Sequence, residues 1–416
     1  MGPSPENARA KSKCFLVARA KGMGPWKTWR LRRGVLTLTQ FQGEHSMRVS
    51  GLMAAGTVLL LASSAAAQNG IASNDHYVNV VSTAPSEKGQ TVKLYLRERV
   101  KGTPDPNKLV LFIHGAGTPA EVSFDMPFAD YSWMAYLANA GYDVFSVDME
   151  GYGRSARPPA MSDKCNLNDV QRAEYKVADN CTPTMTSGVT TLASDWNDVD
   201  AAVNYVLGLR HVAKLNLVGW SQGGPRSAGW AAQHPDKVNR MVLLAPAYRR
   251  TPAAPAAAAR PAPSRGAAFN VQTHADLVKL WNGQAPCPGQ YEQGAFDAVW
   301  KDMLASDPVG ASWDPAARRA PVTAPGGTWT TEMAKNTTIP TLMFSGENDG
   351  QVNPNNVRDL YADIGGDKVF VNLACSSHNA MWEKNHMLMF AASREWLDKG
   401  TVNGQKNVML KMGFAE

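Results

Sequence analysis

Charge is sparse in this 416-residue chain: Asp, Glu, Lys and Arg make up only 19% of it, against 44% for hydrophobic residues. That balance excludes wholesale disorder, which needs much charge and little apolar surface. The net charge of +6 invites a nucleic-acid partner, but its location excludes one. Ten of the 42 lysines and arginines, and only two of the 36 acids, precede residue 68, so the remainder holds 32 basic against 34 acidic side chains. Cysteine is scarce, five in all, and no two have the Cys-x-x-Cys spacing of a zinc ribbon or thiol-redox centre. Without a ligand cluster, no metal is expected, and no cofactor. No internal repeat is present, which excludes solenoids and propellers. The apolar stretch from Leu52 to Ala62 falls short of the ~20 residues of a bilayer span.

That stretch fits a different purpose. It follows Met47 and Arg48 and leads to Ala65, Ala66 and Ala67 before Gln68, the order of a secretory signal with a small-residue cleavage site. Cleavage is expected after Ala67, leaving an exported protein, periplasmic or secreted, with no membrane span; an uncleaved membrane anchor or a buried helix is the alternative. Residues 1–46 carry nine Lys/Arg and two acids. So basic a preface is unusual for a signal peptide, and translation is expected to start at Met47; an unusually long leader is the alternative. The Arg32-Arg33 pair lies too far upstream of the apolar run to read as a twin-arginine signal. Removing the leader discards Cys14 and leaves an even set: Cys165, Cys181, Cys287 and Cys375. Export favours pairing. The short loop makes Cys165 with Cys181 the first pair and Cys287 with Cys375 the second, against the alternative of four unpaired thiols.

Downstream, apolar β-rich runs alternate with amphipathic stretches of helical length, the pattern of an α/β sheet. Eight strands are expected: 77–82, 92–100, 108–114, 142–148, 215–220, 241–245, 341–345 and 368–373. The first two flank a Pro-Ser-Glu-Lys-Gly turn and read as an edge hairpin. The others are apolar on both faces, as buried parallel strands are. Two segments interrupt the alternation: a polar insertion from Arg157 to Ser187, and a longer one over 248–336 that opens with an Ala/Pro run from Thr251 to Pro263. Helical spacing around Trp281 and Trp300 makes the longer one a partly helical cap. The expected organisation is a leader (1–67), a first core part (68–247), the cap (248–336) and a second core part (337–416).

The chemistry centres on Gly219-Trp220-Ser221-Gln222-Gly223, which follows an apolar strand and precedes a helix-forming stretch. Such a turn strains its serine, and glycines on either side remove the Cβ atoms that would collide. Ser221 then projects at a helix N-terminus, where the backbone dipole favours developing negative charge. A serine hydroxyl is a weak nucleophile until a base takes its proton, and histidine, with an ordinary pKa of ~6.5, suits that task. The base in turn needs a carboxylate to fix its tautomer and stabilise its cation.

Several motifs in order resemble the α/β-hydrolase superfamily from about residue 92 to 400. Val-Leu-Phe-Ile-His-Gly-Ala-Gly (110–117) is similar to the family's strand ending in His-Gly. Asp148-Met149-Glu150-Gly151-Tyr152-Gly153-Arg154-Ser155 resembles its Asp-x-x-Gly-x-Gly-x-Ser turn, and Gly346-Glu347-Asn348-Asp349 its acid loop. Ser377-His378-Asn379 stands where the family places its histidine. The resemblance implies a mostly parallel eight-stranded α/β-hydrolase sheet flanked by helices, with a cap insertion. It also implies Ser221 as nucleophile, His378 as base and Asp349 as acid, with Glu347 the runner-up acid. Oxyanion donors would be the backbone N–H of Gln222 and that of Ala116, with Gly117 next. His114 is expected to hold the oxyanion loop. His76, His211, His234, His274 and His386 have surface or helix-end roles.

A serine nucleophile argues against the branches that use a carboxylate, leaving acyl transfer to water. The expected reaction is hydrolysis of a carboxylic ester, on a small-molecule or polymeric substrate. Lactones, thioesters, amides and carbon–carbon bonds use the same machinery and stay open. Trp220, beside the nucleophile, is either a wall for an apolar acyl group or core packing. A relative that has lost catalysis and acts as a binding module is the non-enzymatic alternative.

Overall fold

The computed structural model describes residues 70–178, 180–250, 268–321 and 329–413. The expected leader, the Met47 start, the cleavage point after Ala67 and the Ala/Pro run all lie outside the described residues.

The first half builds β1 (Ile71–Val81), β2 (Thr91–Lys101), β3 (Leu109–Ile113), α1 (Ala120–Phe124), α2 (Trp133–Asn139), β4 (Asp143–Val147), α3 (Asp169–Glu174) and α4 (Leu192–Arg210). β5 (Leu215–Trp220), α5 (Gly223–Ala231) and β6 (Val238–Leu244) follow. The chain then leaves the sheet to form β7 (Asn270–Thr273), α6 (His274–Asn282), α7 (Gln293–Ala305), α8 (Pro308–Ala311), β8 (Ala316–Arg319) and α9 (Thr331–Asn336). It returns through β9 (Thr341–Gly346), α10 (Pro354–Asp363), β10 (Lys368–Leu373), α11 (His386–Lys399) and β11 (Val408–Met412).

Nine strands pair in the order β1-β2-β4-β3-β5-β6-β9-β10-β11, and β7 with β8 makes a separate two-stranded sheet. β1–β2 and β2–β4 are antiparallel and every other pair of the large sheet is parallel. That is one strand more than expected. The addition, β11, alternates half-buried and exposed residues at the sheet edge. Its strand character comes from pairing in register with β10, Val369 opposite Val408 through Leu373 opposite Met412, more than from any local preference.

Alternation along the central strands divides the core in two. Leu109, Leu111 and Ile113 face one apolar cluster, which takes Val199 and Val203 of α4, Trp230 of α5 and Leu360 of α10. Val110 and Phe112 face the other, with Trp133 of α2 and Phe390 and Trp396 of α11. The excursion between β6 and β9 buries Leu277, Trp281, Phe296, Val299 and Met303 in that second cluster. Cys165 is joined to Cys181 and Cys287 to Cys375. No helix among the described residues is long and apolar enough to cross a membrane.

Candidate active site

β5 is buried along its whole length and delivers the chain to Ser221, which adopts a left-handed backbone with φ 56°. For a residue with a Cβ this costs ~1–3 kcal/mol and persists only where the surroundings enforce it. Here the Ser221 N–H donates to Leu244 O at 2.9 Å, and Ser221 O accepts from Gly224 N and Ala247 N, both at 2.9 Å. The turn tolerates no side chain beside it. A Cβ on Gly219 would lie 2.5 Å from Ser227 Oγ, and one on Gly223 2.1 Å from Ile113 O. Ser221 is half-buried, whereas Gln222 and all of α5 behind it are buried. Gln222 holds the N-cap of α5 with helical backbone (φ −58°, ψ −23°).

Asp349 lies on the loop after β9. Its Oδ1 accepts the Gln351 and Val352 backbone N–H groups at 2.8 Å each, and its Oδ2 stands 2.9 Å from His378 Nδ1. Both residues are buried, at 7% and 2% exposure. Glu347 is instead exposed and takes a 2.7 Å bond from Lys411 Nζ. The loop bearing His378 presses on the acid loop, since a Cβ on Gly346 would meet Ser377 O at 2.3 Å. Among the described residues no hydrogen bond joins the Ser221 hydroxyl to the His378 ring. Such a contact commonly tightens only with substrate. Serine and histidine are linked through Trp220, whose indole N–H donates to His378 O at 2.9 Å and whose ring lies 5.5 Å from the imidazole. Trp220 is 4% exposed and packs edge-on against Trp382, which fits the packing alternative better than a substrate wall.

On the other side of Ser221, β3 runs into His114 and Gly115. A Cβ on Gly115 would lie 2.9 Å from Ser221 Cβ. His114 Nδ1 is 2.7 Å from Gly115 O, and its Nε2 accepts the Met149 N–H at 3.1 Å. Burial and then the nearby Arg226 charge push its pKa well below the ordinary value, so the ring is neutral and donates through Nδ1. Ala116 is half-buried, and Gly117 has φ 114°.

Three residues that sequence reasoning missed support these loops. Arg226, wholly buried on α5, donates to His114 O (2.9 Å) and Gly115 O (3.0 Å) and pairs with Asp195 of α4 at 2.9 Å. Glu383 accepts from Ser377 N (2.7 Å), Ser377 Oγ (2.5 Å), Trp281 Nε1 (3.0 Å) and Gln290 Nε2 (3.1 Å). It thereby ties the loop beside His378 to the excursion between β6 and β9. Asp148 accepts from Ala120 N (2.7 Å) and Arg154 N (2.9 Å), anchoring the end of the loop that follows β3. The Asp148 motif was visible, but its role as an anchor was not; Arg226 and Glu383 carried no local signal. The described residues also bring Asp163 close to Cys165 and Cys181, a set of metal-ligand types whose two sulfurs are tied up in the disulfide.

A family model described as the alpha/beta hydrolase fold matches residues 108–385. Among curated proteins none matches. Similar solved structures include an esterase from Thermogutta terrifontis, 17% identical with TM-score 0.47, covering 78% of this chain and 98% of that one. A monoacylglycerol lipase from Paleococcus ferrophilus is 20% identical with TM-score 0.48, covering 74% and 99%. A 2-hydroxy-6-oxo-6-phenylhexa-2,4-dienoate hydrolase from a Rhodococcus species is 15% identical with TM-score 0.47, covering 78% and 99%. With the model spanning well over half its length, the chain belongs to the α/β hydrolase fold family.

Proposed function

We propose that this chain is an exported serine hydrolase that cleaves a carboxylic ester through an acyl-enzyme intermediate. The observations that carry the reading are the buried His378 Nδ1 to Asp349 Oδ2 pair at 2.9 Å and a serine in left-handed backbone at the head of a helix. With Nδ1–H donated to Asp349, His378 presents Nε2 as the base. It takes the Ser221 hydroxyl proton as Oγ bonds to the ester carbonyl carbon. The resulting oxyanion accepts the Gln222 N–H and the N–H of Ala116, or of Gly117. Collapse breaks the carbon–oxygen bond to the alcohol, which leaves with the proton from His378. Water, deprotonated by the same imidazole, then attacks the acyl-enzyme, and Ser221 departs with the proton. Nothing in these steps calls for a metal or cofactor. Lactones, amides and carbon–carbon bonds would pass through the same intermediates, so a substrate panel separates them.

Residues 248–336 act as a cap in this reading, since Gln284 Oε1 takes the Gly350 N–H beside Asp349 at 2.9 Å and Glu383 bonds Trp281 and Gln290. Export rests on the signal pattern ending at Ala67, supported by the two disulfides. The partner is a small-molecule or polymeric ester, with no nucleic acid and no membrane span after cleavage. The test is Ser221→Ala. Turnover of p-nitrophenyl acyl esters should fall by roughly 10³-fold or more, with an unchanged circular dichroism spectrum. Fluorophosphonate labelling, mapped to Ser221 in the native chain, should disappear. Near-normal turnover by the variant would overturn the assignment.

A further inference from the structure

β8 reads Ala-Ala-Arg-Arg, and successive side chains of a strand point to opposite faces. Its two arginines end in opposite situations. Arg318 is buried and clamped on Asp307, with Nη2 2.6 Å and Nε 3.0 Å from Oδ1, while its Nη1 donates to Met161 O at 3.1 Å. Its charge is met inside the protein. Arg319 is half-buried, forms no ion pair among the described residues, and reaches only Gln272 Oε1, at 3.3 Å from Nη1. Its Nε is buried and finds no hydrogen-bond partner among the described residues. A guanidinium is always charged and presents a planar fork of donors, so one left unmet in a buried setting is costly unless something else supplies the acceptor.

Its position says where that acceptor would be. Arg319 Cζ lies 3.5 Å, and Gln272 Oε1 3.6 Å, from the Cβ position of Gly117, which is in the candidate oxyanion loop. Arg319 also lines a cavity of about 530 Å³ whose walls include Gln272, Gln284 and Lys279, and which ends at Gly350 beside Asp349. One wall residue, Arg319, thus stands against the candidate oxyanion loop, and another, Gly350, is next to Asp349 in sequence. The cavity's one acidic wall residue, Asp276, already accepts the Thr273 N–H at 3.0 Å and the Thr273 hydroxyl at 2.8 Å as a helix cap.

We propose that Arg319 is the anchor for a carboxylate on the substrate, so that the enzyme acts on esters carrying an acidic group a few atoms from the scissile carbonyl. The proposal rests on the hydrolase reading above and sharpens its substrate class. Gln272 steadies the fork, and Lys279 adds positive potential at the rim. The fork geometry favours a planar carboxylate, which can accept two parallel N–H bonds.

Two matched pairs of esters test it. Mono-p-nitrophenyl glutarate against p-nitrophenyl pentanoate puts the charge on the acyl side; m-acetoxybenzoate against m-tolyl acetate puts it on the alcohol side. At least one pair should favour its anionic member about tenfold or more in kcat/KM. Arg319→Gln should lower that ratio by about 10- to 100-fold, and Arg319→Lys, which keeps the charge without the fork, by less. No anionic preference in either pair, or a ratio unmoved by Arg319→Gln, overturns the anchor. Binding is read separately: free glutarate should raise the melting temperature of the native chain and of Ser221→Ala, but not of Arg319→Gln. If no ester turns over and no fluorophosphonate reacts, the hydrolase reading fails. The glutarate shift still decides on Arg319, because its absence from the native chain would overturn the anchor.

Discussion

Asp148 shows what a single buried carboxylate does to the pH response of this protein. It is 2% exposed, and among the described residues no salt bridge meets it; two backbone N–H groups do. Burial pushes its pKa up to about 6, against the pull of the Arg154 and Ala120 N–H groups. Its unfolded value is ~3.9. Between those limits the folded chain holds more protons than the unfolded one, so this residue's contribution to stability falls as pH rises through the window. It is fully present below the unfolded pKa and gone above the folded one. Asp148→Asn cannot titrate. The melting temperature of the native chain minus that of the variant should therefore shrink from pH ~4 to pH ~6 and level off above ~7, measured by thermal scanning across that range. A difference that stays constant or grows would mean that Asp148 is ionised throughout in the folded protein. The same residue marks what a motif hides: the Asp-x-x-Gly-x-Gly-x-Ser pattern locates the turn, but only packing reveals that the acid anchors Ala120 at the end of the loop after β3.

Between elements, a buried carboxylate and a disulfide are among the ties that join the excursion between β6 and β9 to the loop that carries His378. One is the Glu383 carboxylate with its donors Trp281, Gln290 and Ser377. The other is the bond between Cys287, which follows α6, and Cys375, three residues before His378, where the backbone is left-handed at φ 44°. Cys165 with Cys181 instead closes a 16-residue separation within the polar insertion. Removing a native disulfide costs ~2–5 kcal/mol, and closing a longer loop constrains the unfolded chain more. Replacing both Cys287 and Cys375 by alanine should therefore lower the melting temperature by several degrees. On the proposed role of His378, it should also reduce kcat for a p-nitrophenyl ester several-fold, because the loop carrying that residue loses a fixed end. The Cys165→Ala, Cys181→Ala variant should lose stability but keep kcat within about twofold. Equal effects on kcat from the two variants would show that the Cys287–Cys375 bond has no special hold on the base.

Across the whole molecule, legibility followed how local each cause is. Ser221, Asp349 and His378 each follow a short apolar strand, and the turns that present them are written in glycines and small residues; so the loops could be read in order. β7, β8 and β11 could not, since Asn-Val-Gln-Thr, Ala-Ala-Arg-Arg and Val-Met-Leu-Lys-Met are strands only because a partner strand lies alongside. Arg226 and Glu383 escaped for a related reason: each bonds partners distant in sequence, His114 for the one and Trp281 for the other, and only the fold brings them together. The pairing of cysteines was readable because removing the expected leader leaves an even set and loop length ranks the options. That reasoning commits the molecule to an oxidising compartment, which can be tested on the intact chain. Expressed with its own leader in a bacterial host, the protein should collect outside the cytoplasm with Gln68 as its first residue by N-terminal sequencing. Its four cysteines after residue 67 should resist alkylation until reductant is added, and then all four should react. The same residues expressed in the cytoplasm should take up alkylating reagent directly and melt several degrees lower, because two covalent links are missing from the folded state. Recovery of the leader-bearing chain with free thiols would remove export, and with it the reason for expecting either disulfide.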